Sequence, residues 1–177
     1  MDILAHGLWA GAAVVAMAPR RPPASLWAWT VALAVMPDLG HMLPVTGWAV
    51  ANLASADWWQ YATALPGQDP PMPNAIQLLA HHLHCVLHSA VVAVVVTTVV
   101  WAWRRTFWWP LLGWWSHIVI DVFTHSAEFF PSPVFYPLTY WGFDGWAWNQ
   151  PAFMLVNYTA LALAWLGIAW CWRRRPR

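Results

Sequence analysis

Eight histidines and seven carboxylates are spread along 177 residues, and most of them fall into tight groups. Asp38 and His41 are three apart. His81, His84 and His88 stand at i, i+3 and i+7, which is one stripe of an α-helix, and His82 points away from it. His117, Asp121 and His125 stand at i, i+4 and i+8, again on one helical face, with Glu128 just beyond. His6 stands apart near the start. Neutral imidazole and carboxylate together suit Zn²⁺, with Mn or Fe as other first-row choices. Helices that each aim such side chains inward are how helical bundles build metal sites. The candidate ligands are therefore His6, Asp38, His41, His84, His88, His117 and Asp121. Glu128 and His125 are the candidates for general acid or base. A lone buried histidine is more often a hydrogen-bonded core residue than a ligand, and that bland reading fits His6 or His82 taken singly. It weakens once Asp38, Asp121 and histidines of separate helices converge.

The elements that position these groups are apolar. Hydrophobic residues make up 60% of the chain and charged residues 8%, whereas a soluble domain carries about 25% charged residues. Such a chain cannot cover a water-facing surface, so the expected fold is an all-α integral membrane bundle in a single domain. Crossing about 30 Å of hydrocarbon takes about 20 helical residues. Runs at Ile3–Ala18, Ala24–Leu43, Ala75–Trp103, Phe107–Glu128 and Pro151–Trp172 give about five transmembrane helices. Loops at about 44–74, with short helical content around Trp48–Ala64, and at about 129–150 join them. An ionisable group at membrane depth costs roughly 2.5–3.5 kcal/mol on insertion scales and marks a functional site by default.

All eight basic residues are arginines. Arg20 and Arg21 follow the first run, Arg104 and Arg105 the third, and Arg173, Arg174, Arg175 and Arg177 the fifth. The positive-inside rule assigns these ends to the cytoplasm. The expected place is a bacterial inner membrane, with the His/Asp cluster and the loops carrying Asp57, Asp69 and Asp144 on the non-cytoplasmic side. A net charge of +1 points to no nucleic-acid partner. The eighteen tryptophans fit interfacial anchors. Cys85 and Cys171 lie in apolar helical stretches and imply no disulfide framework. The acidic start and the late Arg pair make a poor signal peptide.

The motifs MDILAHGLWAG, MPDLGH, the His88-Ser89 pair, SHIVIDVFTHS and FFPSPVFYPLTYWGFDG resemble, in that order, the membrane-bound metal-dependent hydrolase family. These proteins are also described as LexA-binding, inner-membrane-associated hydrolases. The likeness covers about residues 1–150. It implies that His6, Asp38, His41, His88, His117 and Asp121 match the family's polar motif residues. Relatives carry an arginine shortly before the His-Ser pair. Here the stretch HHLHCVLHS has none, and His81 or His84 stands in its place.

The resulting expectation is metal-assisted hydrolysis of a phosphoester on a lipid or lipid-linked substrate, by one or two ions. Ser89 is a possible nucleophile, though a mid-helix serine more often bonds the backbone. The aromatic loop Phe129–Trp148 could cover the entrance or hold an acyl chain. Two other classes stay open: a metal-binding or transporting membrane protein, and a structural protein whose polar cluster only holds helices together. The inner parts of the third and fifth runs offer almost no polar side chains, which counts against transport.

Overall fold

A computed structural model describes residues 1–18, 21–51, 68 and 71–174. Arg20, Asp57, Asp69, Arg175, Arg177 and the short helical content expected beyond residue 51 lie outside the described residues. Among the described residues there are six helices and no strand: α1 (Ile3–Met17), α2 (Ala24–Ala51), α3 (Asn74–Leu87), α4 (Ala90–Arg104), α5 (Leu111–Thr124) and α6 (Pro151–Arg174). α2 is the hub and packs against α1, α3 and α5; α6 leans on α1, and α4 on α5.

Two helices, α2 and α6, are long and apolar enough to cross a membrane, and α3 with α4 makes a third if the bent pair is one span. The expected count of five is not met among the described residues. α1 and α5 are apolar but have only 15 and 14 residues, about 22 Å at 1.5 Å per residue. The apolar side chains of α6 face outward, since only 11% of its most apolar window is buried. That exposure is what a lipid-facing helix requires.

Local chemistry explains where the helices differ from the sequence expectation. Asp2 caps α1, its carboxylate accepting from the Ala5 amide at 3.0 Å. α2 does not stop at Leu43 but continues through Pro37 and Pro44 to Ala51. Each internal proline removes one helical donor and bends the helix without ending it when packing supports both sides. Asp38 and His41 consequently sit mid-helix rather than near its end, and residues 44–51 are not loop. The expected span Ala75–Trp103 breaks at His88-Ser89, with a 64° bend. Ser89 caps α4 by accepting from the Val92 amide at 3.2 Å. Its hydroxyl donates to the Tyr136 carbonyl, and the Ala90 amide donates to the Val134 carbonyl at 2.9 Å. Ser89 thus bonds backbone, as expected of it, and the loop after α5 holds the break open.

That loop also closes the end of α5. The amides of Gly145, Trp146 and Trp148 donate to the carbonyls of His125, Phe123 and Thr124 at 2.8, 3.0 and 2.9 Å. These are the carbonyls a helix end leaves without partners. Gly145 permits the approach, because a Cβ there would run into the Phe123 and His125 carbonyls. At the α2–α5 crossing, Gly113 lies directly against the backbone of Thr30 and Ala34. One apolar cluster (Ala93, Leu111, Trp114, Ile118) holds α4 to α5, and another (Met1, Ala5, Leu161) holds α1 to α6.

Candidate metal centre

Asp38 from α2, His88 from the α3–α4 break, and His117 and Asp121 from α5 each offer one ligand atom, and these atoms all lie within 4.8 Å of one another. His88 Nε2 is 3.0 Å from His117 Nε2. Asp121 Oδ2 is 3.3 Å from His88 Nε2 and 3.2 Å from His117 Nε2. Asp38 Oδ1 is 3.4 and 3.7 Å from the same two nitrogens. Ligands about 2.0–2.1 Å from a tetrahedral Zn²⁺ are about 3.3–3.4 Å apart. The contacts of the two imidazoles with each other and with the two carboxylates, 3.0–3.7 Å, are close to the edges of such a tetrahedron.

The outer hydrogen bonds fix which atoms face inward. His117 Nδ1 donates to the Ala34 carbonyl at 2.7 Å, and His88 Nδ1 donates to the His84 carbonyl at 2.9 Å. A neutral ring that donates from Nδ1 presents a lone pair at Nε2. Two lone pairs and two carboxylates therefore converge on one point. Asp38 Oδ2 and Asp121 Oδ2 are buried with no hydrogen-bond donor. A buried carboxylate oxygen without a partner is costly, and for Asp121 Oδ2, which faces both imidazoles, a cation at the shared point removes that cost. The residues present fit a divalent ion, and donation from the far imidazole nitrogen to a carbonyl is the usual way of orienting a metal-binding histidine.

The other expected ligands surround these four. His6 Nε2 is 2.9 Å from Asp121 Oδ1, and its ring stacks on His117 with centroids 3.8 Å apart. It holds the carboxylate from behind. Thr124 and the Met1 amine also donate to Asp121 Oδ1. His41 Nε2 is 4.0 Å from Asp38 Oδ1. The His84 ring lies 4.0 Å from the His88 ring, and His41 meets His84 edge-on at 5.1 Å. His125 donates from Nδ1 to the Phe130 carbonyl at 2.7 Å, leaving Nε2 3.6 Å from Asp121 Oδ2. Glu128 is exposed, and so is His82. The sequence reading did not single out the Ala34 carbonyl, Thr124 or Asp2. Thr124 stands at i+3 from Asp121, a helical spacing, whereas the Ala34 carbonyl and the Asp2–Tyr158 contact join elements distant in the chain.

A cavity of about 660 Å³ opens beside the cluster. Asp38, His41, His81, His84 and His125 form its imidazole-rich side, and Phe129, Phe130, Trp148, Met42 and Leu78 are among its apolar lining. Glu128 does not line it. No family model, curated protein or solved structure matches the chain.

Proposed function

We propose that the chain is a membrane-bound metal-dependent hydrolase acting on a phosphoester of a lipid or lipid-linked molecule. The observation that carries this reading is the convergence of Asp38, His88, His117 and Asp121 beside a cavity lined by both polar and apolar side chains. Zn²⁺ is the proposed ion, with Mn or Fe as alternatives. A divalent ion held there supplies Lewis acidity, polarising the attacked phosphoryl group and making the attacking water more acidic.

The chain's own residues supply the rest. His6 keeps Asp121 turned toward the ion site. The carbonyls of Ala34 and His84 keep both ligand imidazoles in the right tautomer. His125, anchored through Nδ1 on Phe130, has its Nε2 3.3 Å from the Met1 amine and is the proposed residue that takes or returns a proton at the cavity wall. The apolar lining excludes water and accommodates an acyl chain. The motif likeness to the membrane-bound metal-dependent hydrolases supports the same reading.

Protein loaded with Zn²⁺ or Mn²⁺ is expected to hydrolyse bis(p-nitrophenyl) phosphate or a phospholipid in mixed micelles. A chelator should abolish the activity and added metal should restore it. Metal-replete protein that hydrolyses no phosphoester would sink the hydrolase reading. In the proposed arrangement the arginines after α1, α4 and α6 face the cytoplasm of a bacterial inner membrane and the metal centre faces the other side. A reporter fused after Arg177 should then be active only in the cytoplasm; activity on the outer side contradicts that orientation.

A further inference from the structure

One wall of the cavity carries chemistry that phosphoester hydrolysis does not use. Phe129, Phe130 and Trp148 line it together. Phe129 meets Phe130 at 5.5 Å and 76°, and Trp148 at 5.7 Å and 72°. Aromatic rings that border a cavity attract an organic cation to whatever part of their faces is turned toward it. Phe130 is held at φ 45°. A bulky residue is rarely left-handed, and such strain persists where the surroundings impose it, often at binding sites. Here the strained turn brings the Phe130 carbonyl onto His125 and puts two successive rings on the cavity wall.

Asp2 lines the same cavity. Its Oδ1 accepts from the Ala5 amide and the Tyr158 hydroxyl, at 3.0 and 2.8 Å. Its Oδ2 is buried and has no hydrogen-bond partner. Among the described residues no arginine lines the cavity, and the Met1 amine that does is turned onto Asp121 and His125. A buried carboxylate oxygen without a donor and a set of crossed rings, in a cavity with no guanidinium among its described lining, call for a positively charged guest. An anionic head group alone would leave both unanswered.

We propose that this cavity receives the zwitterionic head group of a lipid, with its ammonium against Phe129, Phe130, Trp148 and Asp2 and its phosphate toward Asp38 and His41. The proposal rests on the hydrolase reading for the fate of the phosphate, but not for the recognition of the ammonium.

Binding separates the two. Full-length protein in maltoside detergent is titrated calorimetrically with octylphosphocholine, octyl phosphate and chain-free phosphocholine, the first two below their micellar concentrations. Octylphosphocholine is expected to bind at least about tenfold more tightly than either other ligand. Trp148→Ala and Asp2→Asn should each weaken octylphosphocholine about tenfold and change octyl phosphate less than about twofold. Trp148→Phe, which keeps a ring, should restore most of the loss. Asn still caps a helix, so Asp2→Asn removes the charge while keeping α1 capped. Equal affinity for octylphosphocholine and octyl phosphate overturns the ammonium site. Phosphocholine binding as tightly as its octyl ester overturns the lipid assignment. Trp148→Ala weakening both amphiphiles equally reduces the rings to scaffolding and overturns the cage. Ammonium selectivity without hydrolysis of any phosphoester leaves the cage standing and removes the hydrolase reading. Hydrolysis with no head-group preference does the reverse.

Discussion

Asp121→Asn protein is expected to lose its divalent ion, with affinity falling by more than about 100-fold, while the unaltered protein purifies with about one equivalent. The reference for that figure is that losing a group which merely orients a ligand already costs about 10–100-fold, and Asp121 is itself one of the four converging ligands. Its Oδ2 faces His88 and His117, and its Oδ1 takes His6, Thr124 and the Met1 amine. Asn keeps the shape but replaces one oxygen with an NH₂ and removes the charge, so attraction for the cation falls without a cavity opening. His6→Ala should cost about 10–100-fold, because it only releases Asp121 from behind. His82→Ala, on the exposed side of α3, should change nothing. Elemental analysis after gel filtration, followed by competition with a metal indicator, reads all four proteins. Unaltered protein free of Zn, Mn and Fe at neutral pH would mean that the cluster is an ion-pair network in which a protonated His88 bridges Asp38 and Asp121.

The contrast between His6 and His82 shows how far residue spacing carries. Helical periodicity is a local property, so the face shared by His117, Asp121 and His125 and the divergence of His82 from His81 and His84 are readable from residue numbers. So is the pressure to gather ionisable groups, because an apolar chain has nowhere else to keep them. The distinction between the four atoms that converge and those that stand behind them is not local. It depends on α2 passing through Pro44, which leaves Asp38 mid-helix. It depends on the bend at His88-Ser89, which is held by the carbonyls of Val134 and Tyr136, more than forty residues along the chain. A proline in a sequence signals a helix end, and a valine-rich run signals one uninterrupted helix. Tertiary contacts overrode both signals.

The same reasoning applies to the span count. Length and apolarity measured along the sequence merged α3 with α4 and extended α5 through His125 to Glu128. In the fold, α5 ends at Thr124 because the segment at Gly145–Trp148 takes its final carbonyls. That early end has a consequence for the site. It frees His125 from helical geometry, so its Nδ1 reaches the Phe130 carbonyl, its Nε2 meets the Met1 amine, and its ring borders the cavity. The feature that shortens the span also places the candidate proton carrier.

Gly113→Ala is expected to destabilise the protein by about 1–3 kcal/mol, the usual cost of overpacking, and to weaken metal binding with it. A Cβ at Gly113 would strike the Thr30 carbonyl and come within 3.1 Å of the Ala34 amide. Both belong to the backbone of α2, so no side chain can swing aside, and α5 must retreat from α2. His117 lies one helical turn further along α5, and its Nδ1 reaches Ala34 of the same α2 segment at 2.7 Å. Retreat stretches that hydrogen bond, frees the imidazole to rotate, and separates His117 and Asp121 from Asp38. A single methyl group should therefore register twice, as a thermal midpoint lowered by several degrees and as a looser metal site. Gly167→Ala is the control. Nothing lies within 4 Å of a Cβ at that position in α6, and Ala favours a helix interior over Gly by about 0.5–1 kcal/mol. That variant should be as stable as the parent or more so, with unchanged metal affinity. If Gly113→Ala also melts and binds metal like the parent, α5 does not press on α2 at Thr30, and the placement of His117 must come from elsewhere.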